Sequence, residues 1–295
     1  MRPINFLETT LTSSTSNQKQ EITRTPVEQR LAVNQLTTLH WTLSEALCGY
    51  REQAIPGIGV ALSRMKTRGL ERAIEEVVGS GLRVSTLGWV GGFTGLNGYS
   101  WKEAVRDARF AIWVAGQIGA EAVNVMTGPR RLHIPKHARR IVIEALKELA
   151  PVAAENKVRL AVQPMHPVFA RSWTFLHTLD DALAMIREID DPHVGLGFGP
   201  YHLADESGLM QRLPELVPLI ATVQLSDWHR PPQNDQDRVL PGDGCLPLSK
   251  IISTLEESGY QGMYEIDAWG RDLWNRDHHD LISDCRRRYE DLCRR

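Results

Sequence analysis

Eight short apolar runs alternate with longer amphipathic stretches along nearly the whole chain, and this alternation constrains the fold more than any other feature. The runs are Leu31–Leu36, Gly57–Leu62, Leu82–Trp89, Ala122–Thr127, Val158–Gln163, Val194–Phe198, Ile220–Leu225 and Met263–Asp267. Each reads as a strand apolar on both faces, the pattern of a parallel sheet covered on both sides. The stretches Ser44–Gln53, Leu70–Gly79, Trp101–Ile118, Lys136–Asn156, Leu179–Ile189, Leu209–Leu216, Ser249–Ser258 and Asp277–Arg294 carry helical periodicity. Eight strand–helix units in about 265 residues match the size of a closed (β/α)8 barrel. The competitor is an open doubly wound sheet, which often has a Gly-rich phosphate turn after its first strand. Here that position reads Asn34-Gln35-Leu36-Thr37, so no nucleotide cofactor is expected. The expected fold is therefore α/β: one (β/α)8 barrel over residues 29–295, after a flexible arm over residues 1–28. The charged stretch Arg271–Asp280, with Trp274, is expected to be a loop ahead of the last helix.

A net charge of −2 gives no electrostatic reason to expect nucleic acid or an anionic membrane as partner. No apolar run reaches the roughly 18 residues that a spanning helix needs. The Ser-, Thr-, Gln- and Asn-rich start lacks the apolar centre of a signal peptide, and reads as a solvated tail or a strap across a partner subunit. Cys48, Cys245, Cys285 and Cys293 form no C-x-x-C pair and have no His at zinc-finger spacing. Reduced thiols and a cytoplasmic protein are the expectation.

In a barrel of this kind the active site lies at the C-terminal ends of the strands. There the sequence places Gln163 and His166 after the fifth strand, and Gly199-Pro200-Tyr201-His202 after the sixth. Gln224 and Asp227 come with the seventh, followed by Arg238 and Pro241-Gly242-Asp243-Gly244, and Asp267 and Trp269 with the eighth. An amide at Gln163 stands where an acid or a metal ligand would be expected, and an amide neither abstracts a proton nor brings charge to a metal.

Taken in order, these segments resemble the sugar phosphate isomerase/epimerase family, the xylose-isomerase-like TIM barrels. Gln163-Pro164-Met165-His166-Pro167 is similar to that family's Glu-Pro-Leu-His-Pro motif, and Gly199-Pro200-Tyr201-His202 to its Asp-x-x-His. Gln224 and Asp227, Arg238, Pro241–Gly244, Gly259-Tyr260-Gln261-Gly262 and Asp267 fit its later motifs, and the likeness spans residues 30 to 294. The resemblance implies a small-molecule carbohydrate as substrate, a homodimer in many members, and a divalent metal (Mn, Mg, Co or Zn) on four strand-end ligands. By position these would be Gln163, Gly199, Gln224 and Asp267, of which only Asp267 keeps a carboxylate. Hard divalent cations depend on carboxylate charge, so a degraded metal site is expected.

Asp267, His202 and His166 are the candidate catalytic residues. Gln163, Gln224, Asp227, Arg238, Trp89 and Trp269 are the candidate substrate-binding residues. Each has a plainer alternative. Asp267 would pair with Arg238 and hold the loop, the histidines and Asp227 would cap turns, and Arg238 would be a solvated surface residue or an anion clamp. Trp89, Trp228, Trp269 and Trp274 would stack on a sugar or plug the mouth. Arg130, Arg131 and His133 form a basic cluster on the same face, as a phosphate contact or a solvated loop. Three functions follow: an isomerase or epimerase with an altered metal site, a carbohydrate-binding barrel without metal or turnover, or a metal-free acid/base enzyme using His166, His202 and Asp227.

Overall fold

The computed structural model describes residues 25–67, 69–234 and 236–294. Its strands close into a barrel in chain order, each parallel to its neighbours. The strands are β1 (Leu31–Asn34), β2 (Gly57–Ala61), β3 (Arg83–Gly91), β4 (Ala122–Met126), β5 (Arg159–Val162), β6 (Val194–Phe198), β7 (Ile220–Leu225) and β8 (Tyr264–Ile266). The long helices of the outer ring are α1 (Leu43–Glu52), α3 (Leu70–Ser80), α4 (Trp101–Gln117), α5 (Pro135–Glu155), α6 (Leu179–Ile189), α8 (Leu209–Leu216), α9 (Leu248–Glu257) and α11 (His278–Arg294). Three short helices sit in loops: α2 (Leu62–Lys66), α7 (Pro200–Leu203) and α10 (Arg271–Trp274). The last corrects the loop expected over Arg271–Asp280. The other two have no long apolar period by which sequence could show them.

Helix starts follow local chemistry. Thr42 with Glu45 opens α1, and Ser100 with Glu103 opens α4, each pair forming a reciprocal capping box. Residues 1–24 of the expected arm lie outside the described residues. Val27–Arg30 forms a 3-10 turn on the barrel, where the Tyr289 hydroxyl donates to the Val27 carbonyl at 2.7 Å.

Strand alternation splits the interior into two layers. Outward residues such as Leu31, Val33, Val123, Val125, Leu160 and Val162 pack with the helices into one apolar core. Inward positions are small or polar: Ala32 and Asn34, Gly59, Ala122 and Asn124, Ala161, Gln224 and Glu265. The small ones make room for Glu265, which is fully buried. Its Oε1 accepts from Asn34 Nδ2 at 2.7 Å and Gln224 Nε2 at 3.2 Å. Its Oε2 accepts from Ser85 Oγ at 2.5 Å and Thr86 Oγ1 at 2.7 Å. One carboxylate thus ties β1, β3, β7 and β8 across the lumen.

A Cβ added at Gly59 would lie 2.5 Å from Glu265 Oε2. Four donors fix that oxygen's carboxylate, so it has little freedom to give way. Gly59→Ala should destabilise the protein by about 1–3 kcal/mol, the usual cost of overpacking a core. Denaturant unfolding checks this, and an unchanged midpoint would show that the carboxylate is free to move.

Candidate active site

The closed barrel brings the candidate strand-end residues together. Gln163 follows β5 and Gln224 lies near the end of β7, both buried, and Gln163 Nε2 donates to Gln224 Oε1 at 2.7 Å. Gln224 uses its own amide N–H toward Glu265, so the two amides and the carboxylate form a chain of fixed polarity. Gln163 Oε1 is left at its open end, buried and without a hydrogen-bond partner.

Asp267, just past β8, is taken up on both oxygens. Arg238 Nη1 donates to Oδ2 at 2.7 Å and to the Asp267 carbonyl at 2.9 Å, and Trp269 Nε1 donates to Oδ1 at 2.6 Å. The Arg238 guanidinium lies between two rings, 4.2 Å from the Trp269 centroid and 4.7 Å from that of Tyr201. With Arg238 4% and Asp267 3% exposed, this is a buried ion pair. Arg238 is therefore not a solvated surface residue.

His202, at the end of the turn after β6, places Nε2 3.3 Å from Arg238 Nη2. Burial, and then the Arg238 charge, hold the imidazole well below its ordinary value, so it is neutral near pH 7. His166 is half-buried 3.8 Å from Asp205, and burial lowers its value too. Asp227 accepts from the backbone N–H groups of Trp228 (2.8 Å), Gly242 (3.0 Å) and Leu246 (3.1 Å). It staples the loop that carries Arg238, and its carboxylate has no open side for proton transfer.

A divalent metal does not fit this set. Gly199 supplies no ligand atom, Gln224 Oε1 already accepts from Gln163, and Asp267 is closed off by Arg238 and Trp269. Among the described residues, no group of three or more His, Cys, Asp or Glu is placed to hold a metal ion. A guanidinium sits against the one carboxylate that remains.

Above the polar layer lies an aromatic cover. Trp89 meets Trp173 at 5.1 Å and Trp269 at 5.3 Å between centroids, and Tyr201, Trp228, Phe169, Met126 and Met165 pack below. The Trp89, Trp173 and Trp269 rings thus pack on one another at the mouth. Trp274 is tied instead to the Leu36 carbonyl at 2.8 Å. Beneath the cover, Asn124 of β4 has both side-chain polar atoms buried without partners. Asn124, Glu265 and Trp173 are absent from the sequence-derived set. Asn124 and Glu265 each interrupt an apolar run, a signal that was available. Trp173 follows no strand end and had none.

The sequence model of the xylose isomerase-like TIM barrel family matches residues 50–287. The chain belongs to that family. This xylose isomerase-like barrel is 24% identical over 191 residues to a candidate hydroxypyruvate isomerase of Mus musculus, a match covering 57% of this chain and 65% of the mouse protein. The chain thus spans just under two thirds of that relative. Among solved structures it is similar to protein SMc04130 of Sinorhizobium meliloti 1021, with TM-score 0.84 and 26% identity over 90% of this chain and 99% of that one. The fold is also that of the IOLI protein, whose crystal structure holds a zinc atom (TM-score 0.76, 17% identity, 89% and 97% covered).

Removing one partner of a buried ion pair leaves the other charge uncompensated. Arg238→Met should cost about 3–5 kcal/mol of stability, and adding Asp267→Asn should recover much of that loss. Equal loss in the single and double variants would show that Arg238 acts by packing alone.

Burial raises the Glu265 carboxyl above its ordinary value, with the Asp267 charge adding to the effect. A carboxyl raised on folding supports the fold below its unfolded value, and that support is lost as pH rises through its folded value. The stability difference between wild type and Glu265→Gln should therefore fall as pH rises above the usual carboxylate range. Chemical denaturation from that range upward tests it, and a flat or rising difference would contradict it.

Proposed function

We propose that this chain is a metal-independent member of its family that binds a small uncharged polyhydroxy compound, a sugar or polyol, under the aromatic cover of the barrel. It does so without the metal-dependent isomerase or epimerase step. The observation that carries the reading is the buried Arg238–Asp267 pair, which satisfies internally the one strand-end carboxylate left to a metal. Two-base proton transfer needs two groups that can cycle. Gln163 does not titrate, Asp267 is held by two donors, Asp227 by three backbone N–H groups, and His202 by the His166 backbone N–H on Nδ1 and Arg238 beside Nε2, which leaves His166 as the one candidate base.

What remains suits hydroxyl groups. Asn124 offers a donor and an acceptor, and Gln163 Oε1 an acceptor, all buried and without protein partners. Buried polar atoms of this kind are satisfied by water or by a ligand. Tryptophan faces above them match the C–H faces of a sugar ring.

The test is elemental analysis and Mn²⁺ titration of the protein, followed by calorimetry with a panel of ketoses, aldoses and inositols in excess chelator. The expected result is no stoichiometric divalent metal and saturable binding of a panel member, weakened by Asn124→Leu at least about tenfold, as loss of hydrogen bonds to a buried ligand implies. Stoichiometric Mn²⁺ binding, or isomerisation of any bound sugar, would overturn the proposal.

A further inference from the structure

A groove of about 1070 Å³ runs along the β3, β4 and β5 loops. It does not depend on the reading of the barrel mouth. The segment from Ala170 to His177 separates the two: Trp173 faces the aromatic cover, while Arg171, Phe175 and Leu176 line the groove.

Five cationic side chains line it: Arg130, Arg131, Lys136, Arg139 and Arg171. Arg139 pairs with Glu188 at 2.6 Å. Among the described residues, Arg130, Arg131, Lys136 and Arg171 have no carboxylate partner. The one carboxylate in the lining, Asp181, is occupied at the start of α6, where Thr178 Oγ1 donates to it at 2.9 Å.

The helix that starts at the groove adds to its positive character. α5 has 21 residues, its N-cap Ile134 makes no side-chain cap, and its first turn carries no acid. The partial positive charge of a helix start repels cations, yet Lys136 and Arg139 sit in the first turns. Arg131 holds a left-handed backbone, φ 52°, with its side chain bonded to the Gly95 carbonyl. Such strain in a non-glycine residue persists only where its surroundings hold it, and it collects at ligand sites. An anion in the groove would meet four cations that have no carboxylate partner among the described residues, beside the start of α5.

We propose that this groove binds an organic phosphate. Its phosphates are held by Arg130, Arg131, Lys136 and Arg171, and its apolar or planar part lies against Phe175 and Leu176. One point favours phosphate over a lone carboxylate: the number of cations without a carboxylate partner, which suits a group with three acceptor oxygens and up to about two charges. The mixed lining favours a ligand with an organic body over the free ion.

Calorimetry of the full chain with ADP, pyrophosphate, inorganic phosphate and adenosine tests this. ADP and pyrophosphate should bind at one shared site, in competition, and adenosine should bind far more weakly. Lys136→Glu with Arg171→Glu should weaken ADP by at least about tenfold, since charge-assisted hydrogen bonds are lost and repulsion is added. All the exchanged residues are exposed, so an unaltered melting temperature will accompany the loss, and Arg130→Gln with Arg171→Gln serves as a milder pair. No heat from ADP or pyrophosphate at millimolar concentration would overturn the proposal. So would equal binding of adenosine and ADP, or unchanged affinity in both variant pairs.

Discussion

A carboxylate at the centre of a closed barrel has no water to solvate it, so the protein must supply donors, and Glu265 receives four. That requirement sets the polarity of everything beside it. Gln224 must turn its N–H2 toward Glu265, so its oxygen faces Gln163. Gln163 must then turn its own N–H2 toward Gln224, which leaves its oxygen facing outward. A carboxylate at 163 would meet the Gln224 oxygen and break the chain. The amide at strand five is therefore the group that the buried Glu265 and Gln224 can accommodate, and the free acceptor presented to a ligand follows from it.

The same argument explains the cation. Asp267 lies on the same face of the strand-eight segment as Glu265, two residues on, and its charge helps to raise the Glu265 carboxyl. Two uncompensated carboxylates so close would oppose folding. In metal-holding barrels an ion can settle such charge. Here Arg238 does so, packed between Tyr201 and Trp269 and delivered by the loop that Asp227 staples. The guanidinium is always charged and geometrically fixed. It offsets the Asp267 charge without a metal.

Much of this was legible in the sequence because barrel geometry is periodic. Each observed strand lies within two residues of its apolar run, and strand ends converge by rule, so Gln163, His202, Gln224, Arg238 and Asp267 could be named together. Their pairing could not. Asp267 had a metal, a proton or Arg238 open to it, and only the path of the loop after β7 decides among them. Glu265 and Asn124 sit inside apolar runs, where an isolated polar residue reads as an interruption. Parity would have found Glu265, since i and i+2 share a face. Trp173 lies eleven residues past β5, in a loop with no period, and tertiary contacts such as Thr127–Thr174 at 2.8 Å and the Gly128 N–H to the Trp173 carbonyl at 2.9 Å place it over the mouth.

Those contacts also bear on how a ligand reaches the interior. Trp173 is tied through its backbone, and Trp269 through its indole N–H to Asp267 and its ring to Arg238. Moving the Trp269 ring breaks a buried hydrogen bond, whereas the Trp173 indole Nε1 is buried without a partner. Trp89 makes ring contacts with both, and among the described residues its side chain has no hydrogen bond to break. It lies where the β3–β4 register shifts between Leu87 and Val90, and such irregularities re-aim side chains at barrel rims. Among the described residues, Trp269 is thus the ring held by a hydrogen bond, while the Trp89 and Trp173 rings are held by packing.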